Sequence, residues 1–94
     1  MGLRKLVLDV GKGLNRPTLM ELASAVESVQ GVEGVNIRFT DMDIETMGLI
    51  MTVEGINIEF DALVNSIEET GCVIHSVDEV VSGKKMVESS RGNE

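Results

Sequence analysis

Tryptophan and tyrosine are missing from this chain, and phenylalanine occurs only twice. With 43% hydrophobic residues and almost no aromatics, the core has to be aliphatic, built from Val, Ile, Leu and six Met. Ninety-four residues make one domain with a modest core. Cysteine is nearly absent too. Cys72 stands alone, which excludes an internal disulfide and any metal centre made of several cysteines. His75 is the sole histidine, and no nucleophile-elbow sequence accompanies it, so a Ser-His-Asp set is not available. Cys72 and His75 lie three apart on a strand-like segment and face opposite ways, which rules out a Cys–His pair by simple strand geometry. The expectation is a non-enzyme, with His75 in a structural or interface role.

Positive charge is scarce: eight Lys and Arg against sixteen Asp and Glu leave a net charge of −8. Such a surface repels phosphate backbones, and no basic stripe interleaved with aromatics is present, so no nucleic-acid partner is expected. Long apolar runs are lacking as well, which argues against a membrane span. Asp9 interrupts the opening "MGLRKLVLDV" before it can serve as a signal-peptide core. A cytoplasmic protein with no membrane partner is the expectation.

What is there is strong periodicity. In "LRKLVLDV" (3–10), Leu6, Leu8 and Val10 alternate with Lys5, Val7 and Asp9, the pattern of a half-buried strand. "GKGLNRP" (11–17) reads as a loop from its Gly and Pro content. Thr18 with Glu21 three residues on forms a capping box that starts a helix. Leu19, Leu22, Ala23, Val26 and Val29 follow helical spacing, and Gly31 is placed to end the helix. "VEGVNIRFTDMD" (32–43) alternates again and, after a turn near 44–47, "GLIMTVEG" (48–55) does the same. A connection this short makes the two a hairpin. In "NIEFDALVNSIEETG", Asn57 is a candidate N-cap, Phe60, Leu63, Val64 and Ile67 form the apolar stripe, and Gly71 ends the helix. "CVIHSVDEVVSG" (72–83) is rich in β-branched residues and reads as the last strand.

The order βαββαβ with right-handed crossovers predicts an α+β, ferredoxin-like sandwich: a four-stranded antiparallel sheet with two helices on one face. The first and third strands are central. Residues 1–84 form the domain and 85–94 a flexible tail. The uncovered sheet face is predicted to carry Lys5, Val7, Asp9, Arg38, Ile50 and Thr52. Such a mixed face suits a subunit contact, so a homo-oligomer is expected.

Two segments invite a ligand. In "TDMDIETMG", Asp41, Asp43 and Glu45 fall at every second position and share one side if the strand persists. Oxygen donors suit Ca²⁺ or Mg²⁺. The EF-hand pattern fails, because counting from Asp41 puts Thr46 where the glycine belongs and Thr52 where the closing glutamate belongs. Three carboxylates make an incomplete site, to be finished by water or by a neighbouring subunit. Asp78 and Glu79 are placed at the same end of the sheet, but three strand spacings away, roughly 14 Å at about 4.8 Å each. They could join only from a neighbouring subunit. The bland alternative is a solvated acidic hairpin tip that discourages edge aggregation. The second segment is Gly11, Lys12, Gly13, Asn15, Arg16 and Thr18, a Gly-rich loop opening a helix, where a small molecule or anion could bind. It matches neither the P-loop nor the GxGxxG pattern.

The segments "LRKLVLDV", "VEGVNI", "DIET" and "GCVIHSVDEVVSG" together resemble the archaeal family known as domain of unknown function 211. That resemblance implies the ferredoxin-like fold, a cytoplasmic archaeal setting and homo-oligomers, and it implies no activity. "NRPTLMELASAV" is more loosely similar to the opening of amino-acid-binding ACT domains, with Asn15 and Thr18 where those domains carry Asp and Gly. It implies a small-molecule sensor as the alternative to a cation-binding module. Heavy-metal chaperones of this fold need a Cys-x-x-Cys in the same loop, and no cysteine is there.

Overall fold

The structure is a computed structural model that describes residues 2–89. Its elements run β1 (Leu3–Gly13), α1 (Leu19–Glu27), β2 (Val32–Met42), β3 (Thr46–Gly55), α2 (Phe60–Glu69) and β4 (Val73–Ser82). The four strands form one antiparallel sheet in the order β2-β3-β1-β4, which is the ferredoxin-like βαββαβ arrangement. Strict alternation decides which face is which. Leu6, Leu8, Val10, Leu49, Met51 and Val53 are buried under the helices. Their neighbours Lys5, Val7, Asp9, Ile50 and Thr52 lie on the helix-free face and are half-buried, and Arg38 beside them is exposed.

α1 starts where the capping box places it. The Glu21 N–H donates to Thr18 Oγ1 at 3.0 Å, and the Glu21 carboxylate accepts from the Thr18 N–H at 2.9 Å. Two of the orphan donors at a helix start are thereby satisfied. Leu22 and Val26 from α1 meet Leu63 and Ile67 from α2 in the core, all fully buried. Across the helix pair, Ser66 Oγ donates to the Ala25 carbonyl at 3.0 Å. α2 ends as expected: Gly71 takes φ +99, a conformation open to glycine, and its N–H donates to the Glu68 carbonyl.

Several sequence expectations need correction. β1 does not stop at Val10 but continues through Gly11 and Lys12 to Gly13, because these residues pair with Gly48, Met47 and Thr46 of β3. Glycine content suggested a loop, but a strand tolerates glycine where something else fills the space. Helix α1 ends at Glu27 with Ser28 as its cap, so Gly31 terminates no helix. Gly31 instead makes the tight entry into β2, with φ +92. Asn57 is not the cap of α2. It has φ 56, and Glu59 occupies the cap position with no side-chain bond to the helix. The expected tail contains no helix or strand over residues 85–89, and residues 90–94 lie outside the described residues.

Candidate functional site

A cleft of about 560 Å³ opens on the sheet at the end where the β2–β3 hairpin turns. Gly11 and Gly48 form its floor, Asp41 and Asp43 one side, and Val73 and His75 the other. The register explains the gathering. Gly11 of β1 pairs with Gly48 of β3, Gly48 pairs with Asp41 of β2, and Gly11 pairs with Val73 of β4. One row across the sheet thus carries two glycines at its centre and polar groups at its flanks.

Both flanks are shaped by irregularities in the ladder. Between β1 and β4 the register passes from Ser76 to Ile74, leaving His75 as the extra residue. Between β2 and β3 it passes from Phe39 to Asp41, leaving Thr40 as the extra residue. Such bulges bend a strand and re-aim its side chains. Here they aim inward over the glycines. A Cβ on Gly11 would stand 2.6 Å from His75 Nε2, and a Cβ on Gly48 would stand 2.6 Å from Asp41 Oδ1. Each glycine is therefore a notch in which a polar tip from the neighbouring strand rests.

The hairpin acids do not share one fate. β2 ends at Met42, so alternation cannot align all three. Asp41 and Asp43 line the cleft, while Glu45 stands exposed in the turn and does not. Asp43 is also a turn former: its Oδ1 accepts from the Ile44 N–H at 2.7 Å, and its N–H donates to the Thr46 carbonyl at 2.8 Å. Asp78 and Glu79 are not at this end of the sheet. Glu79 pairs with Val7 and its carboxylate lies 3.7 Å from Lys5 Nζ, while Asp78 accepts from Ser76 Oγ at 2.7 Å. β4 runs antiparallel to β1 and begins beside Gly11, so its first residues, not its middle, reach the hairpin end. Among the described residues no three His, Cys, Asp or Glu side chains come together to hold a metal ion.

The second candidate segment is tied into the fold. Gly11 to Gly13 belong to β1. Lys12 is only 5% exposed, and its ammonium donates to the Gly13 carbonyl at 2.6 Å beside Met47 Sδ. Arg16 pairs with Glu21 at 2.8 Å. Thr18 caps α1, and Asn15 stands exposed in the remaining loop. The backbone hydrogen bond from Thr18 holds the Glu21 carboxyl below its ordinary pKa, and the Arg16 guanidinium adds to this. Arg16, Thr18 and Glu21 thus bond to one another, while Gly11, Lys12 and Gly13 line the same cleft as Asp41 and Asp43.

Sequence reasoning missed His75 as a cleft residue, because its neighbour Gly11 lies 64 positions away and the bulge that aims it leaves no local signature. Glycine inside a strand was the available signal, since it often marks a bulge or a close approach.

Comparison with known proteins places the whole arrangement in a family. The family model described as uncharacterized ArCR, domain of unknown function 211, matches residues 4–94. A relative, uncharacterized protein MJ0319 of Methanocaldococcus jannaschii, is 41% identical over 90 residues, spanning 96% of this chain and 92% of that protein. The matched span runs from β1 through β4 and takes in every residue of the cleft, and the chain belongs to the archaeal domain of unknown function 211 family.

Proposed function

We propose that this chain is a non-enzymatic binding module that holds a divalent cation, Ca²⁺ or Mg²⁺, at the hairpin end of its sheet. The observation that supports this is the placement of Asp41 and Asp43 in one cleft, with no salt bridge to either among the described residues and with Lys12, which also lines the cleft, turned to the Gly13 carbonyl. The two ion pairs among the described residues, Lys5 with Glu79 and Arg16 with Glu21, lie elsewhere. Carboxylate oxygens are the donors hard cations prefer. The surrounding charge of −8 raises the local concentration of any cation. One chain supplies too few donors for a closed cage, so water, or a second copy of the chain, completes the set. Self-association and a structural or regulatory role for the ion follow from that reading. Glu45, at the turn, can serve a neighbouring copy but not its own cleft.

The test is calorimetric titration of chelator-treated protein with Ca²⁺ and Mg²⁺. Saturable binding that is lost in Asp41→Asn and Asp43→Asn, with the fold intact by circular dichroism, is the expected result. Equal heats in the wild type and both variants would remove the reading. The small-molecule alternative in the segment from Gly11 to Thr18 gains no support, because Lys12, Arg16 and Thr18 are engaged within the fold.

A further inference from the structure

We infer that the free edge of β2 is a self-association surface, and that its occupant is a second copy of this chain docked β2 to β2, antiparallel, about a two-fold axis at Asn36. The inference is independent of the cation reading, since none of its residues lines the cleft. β2 is an edge strand, so half of its backbone N–H and C=O groups face away from β3 with no strand beside them. From Gly34 to Phe39 its register with β3 is unbroken, and no proline or lysine interrupts it. The other edge is guarded. β4 has three breaks in its register with β1 and carries Asp78 and Glu79 side by side near its middle. Irregularity and adjacent like charges are devices that keep an edge from pairing. The two edges of this sheet are thus unlike, and β2 is the one left open.

Side chains supply the second argument. On the helix-free face, Gly34 pairs with Glu54 of β3, and a groove of about 230 Å³ is lined by Gly34, Val35, Asn36, Thr52 and Glu54. A Cβ on Gly34 would meet nothing within 4 Å. Arg38 stands exposed on the same face with no ion pair among the described residues. Glu54 likewise has none, because Lys5 beside it turns to Glu79. A two-fold axis at Asn36 sets Arg38 opposite the second copy's Gly34, with that copy's Glu54 next in the same row. Two strand spacings, about 10 Å, separate the two Cα atoms, a gap that an arginine and a glutamate close across the glycine. Symmetry makes this complementary contact twice. On the helix side, the half-buried Val35 and Ile37 meet the second copy's Ile37 and Val35, and Phe39, 44% exposed, lies diagonal to the second copy's Val35. An axis at Arg38 would oppose like charges, and one at Ile37 would set Arg38 against Asn36 instead of the glycine. A single strand edge buries less than the roughly 800 Å² per partner of a standard interface, so the dimer is weak and concentration-dependent.

Sedimentation equilibrium of the full chain tests this, without divalent ions, at about 0.15 M salt and from about 10 μM to about 1 mM chain. The mass should rise from 10.2 kDa toward twice that value. Arg38→Glu turns each attraction into a repulsion and should weaken dimerisation by about tenfold or more, as should Glu54→Arg. The two together should restore it to within about threefold of the wild type. Gly34→Val suits a strand but fills the groove, and should also weaken the dimer. Circular dichroism confirms the fold of each variant. Asn36→Cys places two thiols at the axis, where opposed Cα atoms of antiparallel strands lie about 4.5–5.5 Å apart, within disulfide reach. Mild oxidation should give a covalent dimer there. The wild type, whose Cys72 is buried, and Val77→Cys on the β4 edge should give none. A chain that stays monomeric at the highest concentration, or a dimer indifferent to Arg38→Glu and Gly34→Val, would overturn the inference. Cross-linking at Val77→Cys but not at Asn36→Cys, or growth past the dimer, would place the contact on the β4 edge or the open sheet face and would also overturn it. Because no divalent ion is present, none of these results bears on the cation reading, which stands or falls by its own titration.

Discussion

Thr18 shows how much a single residue settles. Its hydroxyl and N–H close the capping box with Glu21, so Thr18→Ala should cost about 1 kcal/mol in urea unfolding. A loss within error would mean that packing of Leu22 and Val26 alone positions α1. Glu21 adds a pH signature. Its pKa is lowered in the folded chain, first by the Thr18 backbone hydrogen bond. A depressed carboxyl contributes stability that is present above the ordinary glutamate range, near about 4.3, and lost as pH falls through the lower folded value. Acid titration of unfolding free energy should therefore show a smaller decline below that range in Glu21→Gln than in the wild type. At this scale the sequence was a good guide where partners are near in the chain. Thr18 and Glu21 are three residues apart, and their motif is complete in the sequence. Asn57 misled because asparagine is favoured both as a helix cap and at positive φ, and the second use won here. His75 was unreadable, since the glycine it rests on is contributed by the far end of the chain.

Elements were legible to the extent that periodicity defines them. Alternation in β1 and β3 separates Leu6, Leu8, Val10, Leu49, Met51 and Val53 from their outward neighbours without exception, so the sheet faces were fixed in advance. The end of β1 was not, because Gly11 and Gly13 look like loop residues until their partners on β3 are known. Turns between elements give a sharp test. Gly31 enters β2 with φ +92, and a Cβ there would stand 2.6 Å from the Asn57 carbonyl oxygen and 2.8 Å from that of Ile56. Both are backbone atoms that cannot step aside. Gly31→Ala should lose more than about 1 kcal/mol by denaturant unfolding. Gly34→Ala, three residues on within β2, meets nothing within 4 Å and should change stability by no more than about 0.5 kcal/mol. Equal effects at the two positions would contradict the tight junction between Gly31 and the segment before α2. Helix packing gives a companion expectation: Leu63→Ala, at a fully buried site, should cost about 2–5 kcal/mol.

For the molecule as a whole, topology was the easiest property to foresee and the site the hardest. The order βαββαβ leaves few ways to connect four strands and two helices, and the observed β2-β3-β1-β4 sheet is one of them. The same order brings the hairpin turn, the end of β1 and the start of β4 to one rim. Which acids would meet there depended on strand direction, register and the end of β2, so Asp41 and Asp43 arrive in the cleft while Glu45, Asp78 and Glu79 do not. A cation bound only by the folded chain raises stability by mass action, about 2.7 kcal/mol at a hundred times its dissociation constant. Under the proposed reading, Mg²⁺ should raise the melting temperature of the wild type and leave Asp41→Asn unmoved. Light scattering in the same samples should give a mass that is a multiple of the 10.2 kDa chain. A monomer at every ion concentration would remove self-association from the account.

The most direct test of the central claim is a titration of ¹⁵N-labelled, chelator-treated protein with Mg²⁺, followed amide by amide in two-dimensional NMR spectra. The account predicts saturable shifts concentrated at residues 11–13, 41–48 and 71–75, the three segments that meet at the cleft. Absent shifts, or shifts centred elsewhere on the acidic surface, would contradict it and leave Asp41 and Asp43 as solvated residues of a hairpin end.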